Sequence, residues 1–269
     1  MTHPRDLFSR VFLGFPRALS GIRRAPILGS LVHRLSYQLV PSGHYCWMQV
    51  RAGLAEGLWL ELNPRTGREY YEGKVEPAVQ EVLRHGLRPG MVCYDIGANI
   101  GFFTLIAARL VGNEGRVVAF EPEPEIVPRL KLHIERNGFS NVRVVEAGVW
   151  SATGSATLNR ADPSISPDRG TGSLSQCPGT AHFTSVPCIA LDDFVPGAPP
   201  PHLIKCDVEG AEVEVLKGAA RLLAEHRPTL VCEIHSEANH QSLRKLLASC
   251  GYRLSWVSKS HILALPQDG

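Results

Sequence analysis

The sequence is most informative at first for what it does not contain. Its seven cysteines, at 46, 93, 177, 188, 206, 232 and 250, include no C-x-x-C pair. That removes zinc-ligand spacing and gives no disulfide framework, and the sequence reads as one suited to a reducing, cytoplasmic setting. Cys93, Cys206 and Cys232 sit in apolar runs, where cysteine behaves as a small hydrophobe. No uncharged apolar run approaches the ~18 residues of a membrane span. Neither charge sign dominates: 28 Lys and Arg stand against 26 Asp and Glu, a formal +2, so composition makes no case for nucleic acid as a partner. No internal repeat is visible. With 269 residues, 44% of them hydrophobic, the chain can bury a sizeable core without staples.

Charge is nevertheless unevenly placed. Residues 1–50 hold six arginines (5, 10, 17, 23, 24 and 34), no lysine and one acid, Asp6. VFLGFPRALSGI is too short and too interrupted by Pro16 and Arg17 for a secretory signal. The segment reads as a helical extension that packs on the domain or lies as an amphipathic helix on an anionic surface. A peripheral membrane contact therefore stays open, and oligomeric state is not legible.

From residue 51 the pattern becomes regular. GLWLELNP (57–64) alternates like a strand, and KVEPAVQEVLRHGL (74–87) reads as a helix. Apolar strands then alternate with helical stretches: strand 91–98, helix 100–112, strand 116–122, helix 124–138, strand 141–149. Residues 150–201 break the rhythm with Gly, Ser, Thr and Pro around short β-like pieces, as a hairpin-bearing insertion at the open end of a sheet would. Alternation resumes with strand 202–210, helix 211–226, strand 228–235 and helix 239–251, and two last strands suit an antiparallel edge pair. Such alternation predicts βαβ units on a parallel sheet, within one α/β domain spanning 51–269.

The sharpest local signal is Asp95-Ile-Gly97-Ala98-Asn99-Ile-Gly101, between an apolar strand and a helix. Gly97 permits a tight turn and a close ligand, Gly101 lets the helix approach the sheet, and the helix start offers free N–H groups. Dinucleotide binders want G-x-G-x-x-G, and the middle glycine is missing. An acid before the first glycine suits S-adenosylmethionine, whose sulfonium and ammonium are cationic, with Asn99 at the amino-acid end. Glu121, at the end of the next strand, is placed for both ribose hydroxyls. Glu146, at the end of the third strand, is placed for the adenine edge. The adjoining Ala98, Pro122 and Ala147 complete the expected cofactor set.

The ordered segments YYEGKVE (70–76), YDIGANIGFFT (94–104), VVAFEPEPE (117–125), GTGSL (170–174), LDDF (191–194), IKCDVEGAEVEVLKGA (204–219) and VCEIH (231–235) resemble the FkbM family of S-adenosylmethionine-dependent methyltransferases. The resemblance runs over about residues 55–260, departs from the family at Lys74-Val75-Glu76, and is most specific in the IKxDVEGAE block. It implies a Rossmann-like class I methyltransferase fold, with a mostly parallel seven-stranded sheet, helices on both faces and an antiparallel edge pair. It also implies O-methylation of a sugar or natural-product hydroxyl.

Transfer to an alcohol needs a base near the transfer line. Asp207, at the mouth of the fourth core strand, is the leading candidate, with Lys205 two residues earlier on the same face. Glu209 stands closer to the strand mouth than Glu212, which reads as a helix-start carboxylate. Glu233 and His235 share a face at the same rim, with His235 a base or a ligand. Asp207, Glu209 and Glu233 together offer oxygen donors to an optional divalent metal. Tyr71, with its neighbour Tyr70, Glu76 and Ser173 are expected at a substrate-side cover. Two other readings compete: a dinucleotide-dependent oxidoreductase, and a non-catalytic, membrane-recruited binding module.

Overall fold

The computed structural model describes residues 43–159, 173–175 and 183–267. The described residues fall into two compact units, one up to Val75 and one from Glu76 onward. Residues 1–42, which carry the arginine run, lie outside the description.

In the first unit, β1 (Cys46–Gln49) pairs antiparallel with β2 (Trp59–Leu62). Residues 46–49, which the sequence pattern groups with the helical extension, form a strand instead: Cys46 and Met48 alternate inward against Leu60 and Leu62. A short helix, α1 (Arg68–Glu72), ends at Gly73, whose φ of +68° only glycine adopts easily. A Cβ there would lie 1.9 Å from the Ala52 carbonyl oxygen.

The second unit starts with α2 (Pro77–Gly86), where proline occupies the first helical position and Val79 and Leu83 supply a buried stripe. It continues through β3 (Val92–Ile96), α3 (Phe102–Val111), β4 (Arg116–Phe120), α4 (Val127–Arg136) and β5 (Val142–Val145). The expected third strand then splits, because β6 (Gly148–Val149) leaves the main sheet. There it joins β7 (Gly154–Asn159), β8 (Ser173–Ser175) and β9 (Phe183–Ile189) in a four-stranded sheet ordered β6-β9-β7-β8. After the short α5 (Leu191–Phe194) come β10 (Leu203–Cys206), α6 (Glu212–Lys217), α7 (Ala220–His226), β11 (Thr229–Glu233), α8 (Glu237–Ser249), β12 (Tyr252–Trp256) and β13 (His261–Pro266).

The main sheet is ordered β12-β13-β11-β10-β3-β4-β5. β10, β3, β4, β5 and β11 run parallel, and β13 lies antiparallel to both β11 and β12. This is the Rossmann-like class I methyltransferase arrangement, antiparallel edge pair included. Strand pleating sorts the side chains. Tyr94, Ile96, Ile204, Cys206, Leu230 and Cys232 enter one core with Leu216, Leu223, Leu243 and Leu247 of α6, α7 and α8. Asp95, Lys205 and Glu233 alternate with these and so face the other side, where Thr104 and Phe103 of α3 meet Asp95 and Lys205. Each fully buried aliphatic side chain contributes roughly 1.5–3 kcal/mol, so the sheet can carry a charged row on one face.

The helix expected over 211–226 is broken in two. At Gly218 a Cβ would lie 2.1 Å from the Trp150 carbonyl oxygen, and the Gly218 carbonyl accepts the Asp192 N–H at 2.8 Å. Asp192 then caps the second half from a distance, its carboxylate accepting the N–H groups of Arg221 (2.9 Å) and Leu222 (2.8 Å). Part of the LDDF motif is thus a cap supplied by another segment.

Candidate active site

The parallel strands end at one rim, where the chain turns sharply at Gly97. Its φ is +76°, and a Cβ would lie 1.8 Å from the Asp207 carbonyl oxygen, so the β3 and β10 ends close on each other only through glycine. The Gly97 and Ala98 N–H groups both donate to the Phe120 carbonyl at 3.0 Å. Asn99 adopts φ +50°, a conformation asparagine tolerates better than most residues. Its side chain accepts the Ile100 N–H at 2.7 Å, and its own N–H donates to Glu121 Oε2 at 2.7 Å. Gly101, with φ +91°, lets α3 approach α4, since a Cβ would lie 2.5 Å from Leu130 Cδ1.

Beside this turn a cleft opens at the strand ends. Gly97, Asn99, Glu121 and Pro122 line it together with Asp207 and Glu209. Its apolar wall comes from Phe120, Val149, Leu158 and Leu174, so the four-stranded sheet forms one side of the cleft. Glu121 is nearly buried, and its Oε1 accepts the Glu123 N–H at 2.9 Å. Burial raises its pKa to about 7, against the lowering by those two backbone donors.

Asp95 sits behind this lining at 1% exposure. Its Oδ2 accepts the Thr104 hydroxyl at 2.5 Å, and its Oδ1 stands 3.6 Å from Lys205 Nζ. Lys205, itself buried, also reaches the Gly97 carbonyl oxygen (3.3 Å) and Asp207 Oδ2 (3.4 Å). Burial opposes its charge, but Asp207, Asp95 and Glu76 outweigh burial and hold its pKa above the usual lysine value. Glu146 is exposed in an ion pair with Lys131 at 2.5 Å, and neither it nor the buried Ala147 is among the residues lining the cleft. Ser173 falls in β8 opposite Asn159, and its side chain lies outside the description. Tyr71 belongs to the first unit, where the Arg51 guanidinium lies 5.8 Å above its ring.

The second part of the rim gathers carboxylates around His235. Its Nδ1 meets Glu212 Oε1 at 2.5 Å. Its Nε2 faces Glu209 Oε2 at 3.3 Å, Glu233 Oε2 at 3.7 Å and Asp207 Oδ1 at 4.0 Å. Glu212 is fully buried and anchors the group, accepting also from Gly210 N–H (2.8 Å) and Asn239 Nδ2 (2.5 Å). Hydrogen bonds to Glu209 and Glu212 raise the His235 pKa to about 10. Carboxylates at both ring nitrogens thus favour the protonated imidazolium. Asp207 is the opposite case: burial would raise its pKa, but the Lys205 charge and a hydrogen bond from Glu233 hold it below the usual carboxylate range. Glu233, half-buried beside the negative Asp207, is raised to about 7 by partial burial and by that charge. Two donor groups among the described residues have ligand atoms within 4.8 Å of one another: Asp207, Glu233 and His235, and Glu76, Glu233 and His261.

Four contributing residues carry no signal in the sequence that marks them. Leu158 and Leu174 enter through a segment that carries no periodic signal. Thr104 reaches Asp95 from the first turn of α3. His261 joins the rim because β13 runs antiparallel, which sets it directly opposite Glu233.

The fold and the cleft, with a glycine turn at one strand end and a buried acid at the next, are those of a Rossmann-like domain suited to a nucleoside-bearing cofactor. The methyltransferase FkbM domain matches residues 95–254, and the chain belongs to that family. The match leaves no ground for the dinucleotide alternative. A hexuronic acid methyltransferase of Haloferax volcanii, AglP, is 31% identical over 159 residues, 58% of this chain and 61% of that protein. Methyltransferase 1 of Beauveria bassiana is 28% identical over 182 residues, 60% of this chain and 72% of that one. The crystal structure of an FkbM methyltransferase from Methylobacillus flagellatus is 19% identical, with a TM-score of 0.49, over 74% of this chain and 54% of that one.

Proposed function

We propose that the chain transfers a methyl group from S-adenosylmethionine to a hydroxyl oxygen of a sugar or sugar-like natural product. S-adenosylmethionine supplies an electrophilic methyl on its sulfonium. The residues present fit that cofactor: Gly97 lines the cleft at the end of β3, and the buried Glu121 carboxylate keeps acceptor capacity for paired hydroxyls. The apolar wall formed by Phe120, Leu158 and Leu174 suits a base.

The observation that carries the oxygen acceptor is Asp207. It lines the cleft, and the Lys205 ammonium 3.4 Å from its Oδ2 keeps it ionised. In this reading Asp207 takes the hydroxyl proton as the oxygen bonds to the methyl and the carbon–sulfur bond breaks, leaving a neutral thioether. Lys205 ties Asp207 to the carbonyl of Gly97, so the base and the cofactor turn are held by one ammonium. The imidazolium of His235 offsets the surrounding carboxylates. A sugar acceptor is favoured by the name of the Haloferax relative, a hexuronic acid methyltransferase. Labelled cofactor with a panel of uronic acids, neutral sugars and amines tests the proposal. Label in an acid-stable, base-stable ether with a sugar supports it, and transfer to nitrogen or carbon alone overturns it. In Asp207→Asn, kcat is expected to fall by about 10²–10⁴ while cofactor affinity holds within about threefold.

A further inference from the structure

Glu76, Glu233 and His261 come from three separate elements, the N-cap of α2, the end of β11 and the start of β13. The registration of Glu233 opposite His261 puts both side chains on one face of the sheet. Glu76 reaches them from a backbone at φ +40°, a conformation uncommon for glutamate.

His261 is 5% exposed, and its Nε2 makes no hydrogen bond although Glu76 Oε2 is only 3.2 Å away and Glu233 Oε2 is 4.0 Å away. The ring nitrogen is aimed between two carboxylates and bonded to neither. Glu76 Oε2 is likewise buried without a hydrogen bond. On its other side, Nδ1 contacts the hydroxyls of Ser258 (2.9 Å) and Ser260 (3.1 Å). When a serine accepts the Nδ1 proton, Nε2 presents a lone pair to the gap, the usual support of a metal-binding histidine. Ion–ligand bonds of about 2.0–2.2 Å place neighbouring donors roughly 3–4 Å apart, and the two Nε2 separations fit that range.

We propose that Glu76, Glu233 and His261 bind a divalent transition-metal ion through one imidazole nitrogen and two carboxylates. The mixed donor set suits Mn²⁺ or Zn²⁺ better than Mg²⁺, which favours oxygen and water. Three protein donors leave positions open for water or an acceptor oxygen. The competing carboxylate group around His235 is already closed by its contacts to Glu209 and Glu212. The site does not depend on the proposed methyl transfer and is read by binding alone.

The test is titration of the chelator-treated full chain with Mn²⁺ by electron paramagnetic resonance and with Zn²⁺ by calorimetry. One ion per chain is expected, bound at least tenfold more weakly by His261→Ala and by Glu76→Gln and equally well by His235→Ala. If His261→Ala does not fold by circular dichroism, His261→Gln, which can keep the serine contacts, reads the same loss. Absence of saturable binding in the unaltered chain overturns the proposal. So does equal affinity after the His261 substitution, or loss on substituting His235 alone.

Discussion

Glu121 carries the heaviest residue-level prediction, because it is a buried acid already holding two backbone N–H groups and facing the cleft. Removing it takes away an acceptor and leaves those donors unpaired, so Glu121→Ala should weaken S-adenosylmethionine binding at least tenfold by calorimetry. The pH dependence follows from its raised pKa of about 7. A carboxylate that accepts from ribose hydroxyls must be ionised, so below pH 7 binding must first expel a proton. Affinity should fall as pH drops from 8 to 6 and should be flat over that range in Glu121→Gln. An unchanged slope in the variant would remove Glu121 from the cofactor contacts. Other side chains at this scale work on one another. Asp95 looked like a direct cofactor partner from its place before Gly97, yet its described contacts are Thr104 and Lys205. The tie from Asp95 through Lys205 to Asp207 depends on β3 and β10 lying in register, which places Asp95 opposite Lys205.

At the scale of elements, breaks matter as much as the elements themselves. The 211–226 stretch has an uninterrupted helical pattern, but Gly218 fits under the Trp150 carbonyl and the chain restarts as α7 with Asp192 as its cap. Losing a capping carboxylate costs about 0.5–2 kcal/mol. Asp192→Ala should therefore lower the melting temperature by a few degrees, with cofactor affinity unchanged; an unaltered melt would show that α7 does not need the cap. The strand–helix alternation from 91 to 138 was legible because hydrophobic period changes visibly between two and 3.6 residues. The departure of β6 from the sheet was not legible. Gly148-Val149 is as apolar as the strand before it, and only pairing with β9 decides where it goes.

For the whole molecule, stability and pH are joined through His133 on α4. It is fully buried, its Nδ1 lies 2.7 Å from the Ile100 carbonyl oxygen, and burial lowers its pKa to about 4 from 6.5. The folded state holds it neutral while the unfolded chain takes up a proton below pH 6.5. Its contribution is therefore complete above pH 6.5 and lost as pH falls toward 4, by up to about 3 kcal/mol. Glutamine can keep the donor to Ile100 without titrating. Melting curves of His133→Gln and the unaltered chain should diverge across that window, and parallel curves would exclude this role.

The sequence by itself determined the alternation of strands and helices, the glycine turn with its acids at successive strand ends, and the family they define. These follow from local periodicity and from residue types with few other uses. Tertiary structure alone decided how the rim is wired. It set His235 among four carboxylates, and it paired Glu146 with Lys131. It also brought Leu158 and Leu174 over the cleft, and it set His261, more than 180 residues from Glu76, beside it. Charge state and contact depend on burial and on strand register, which arise only when distant segments pack.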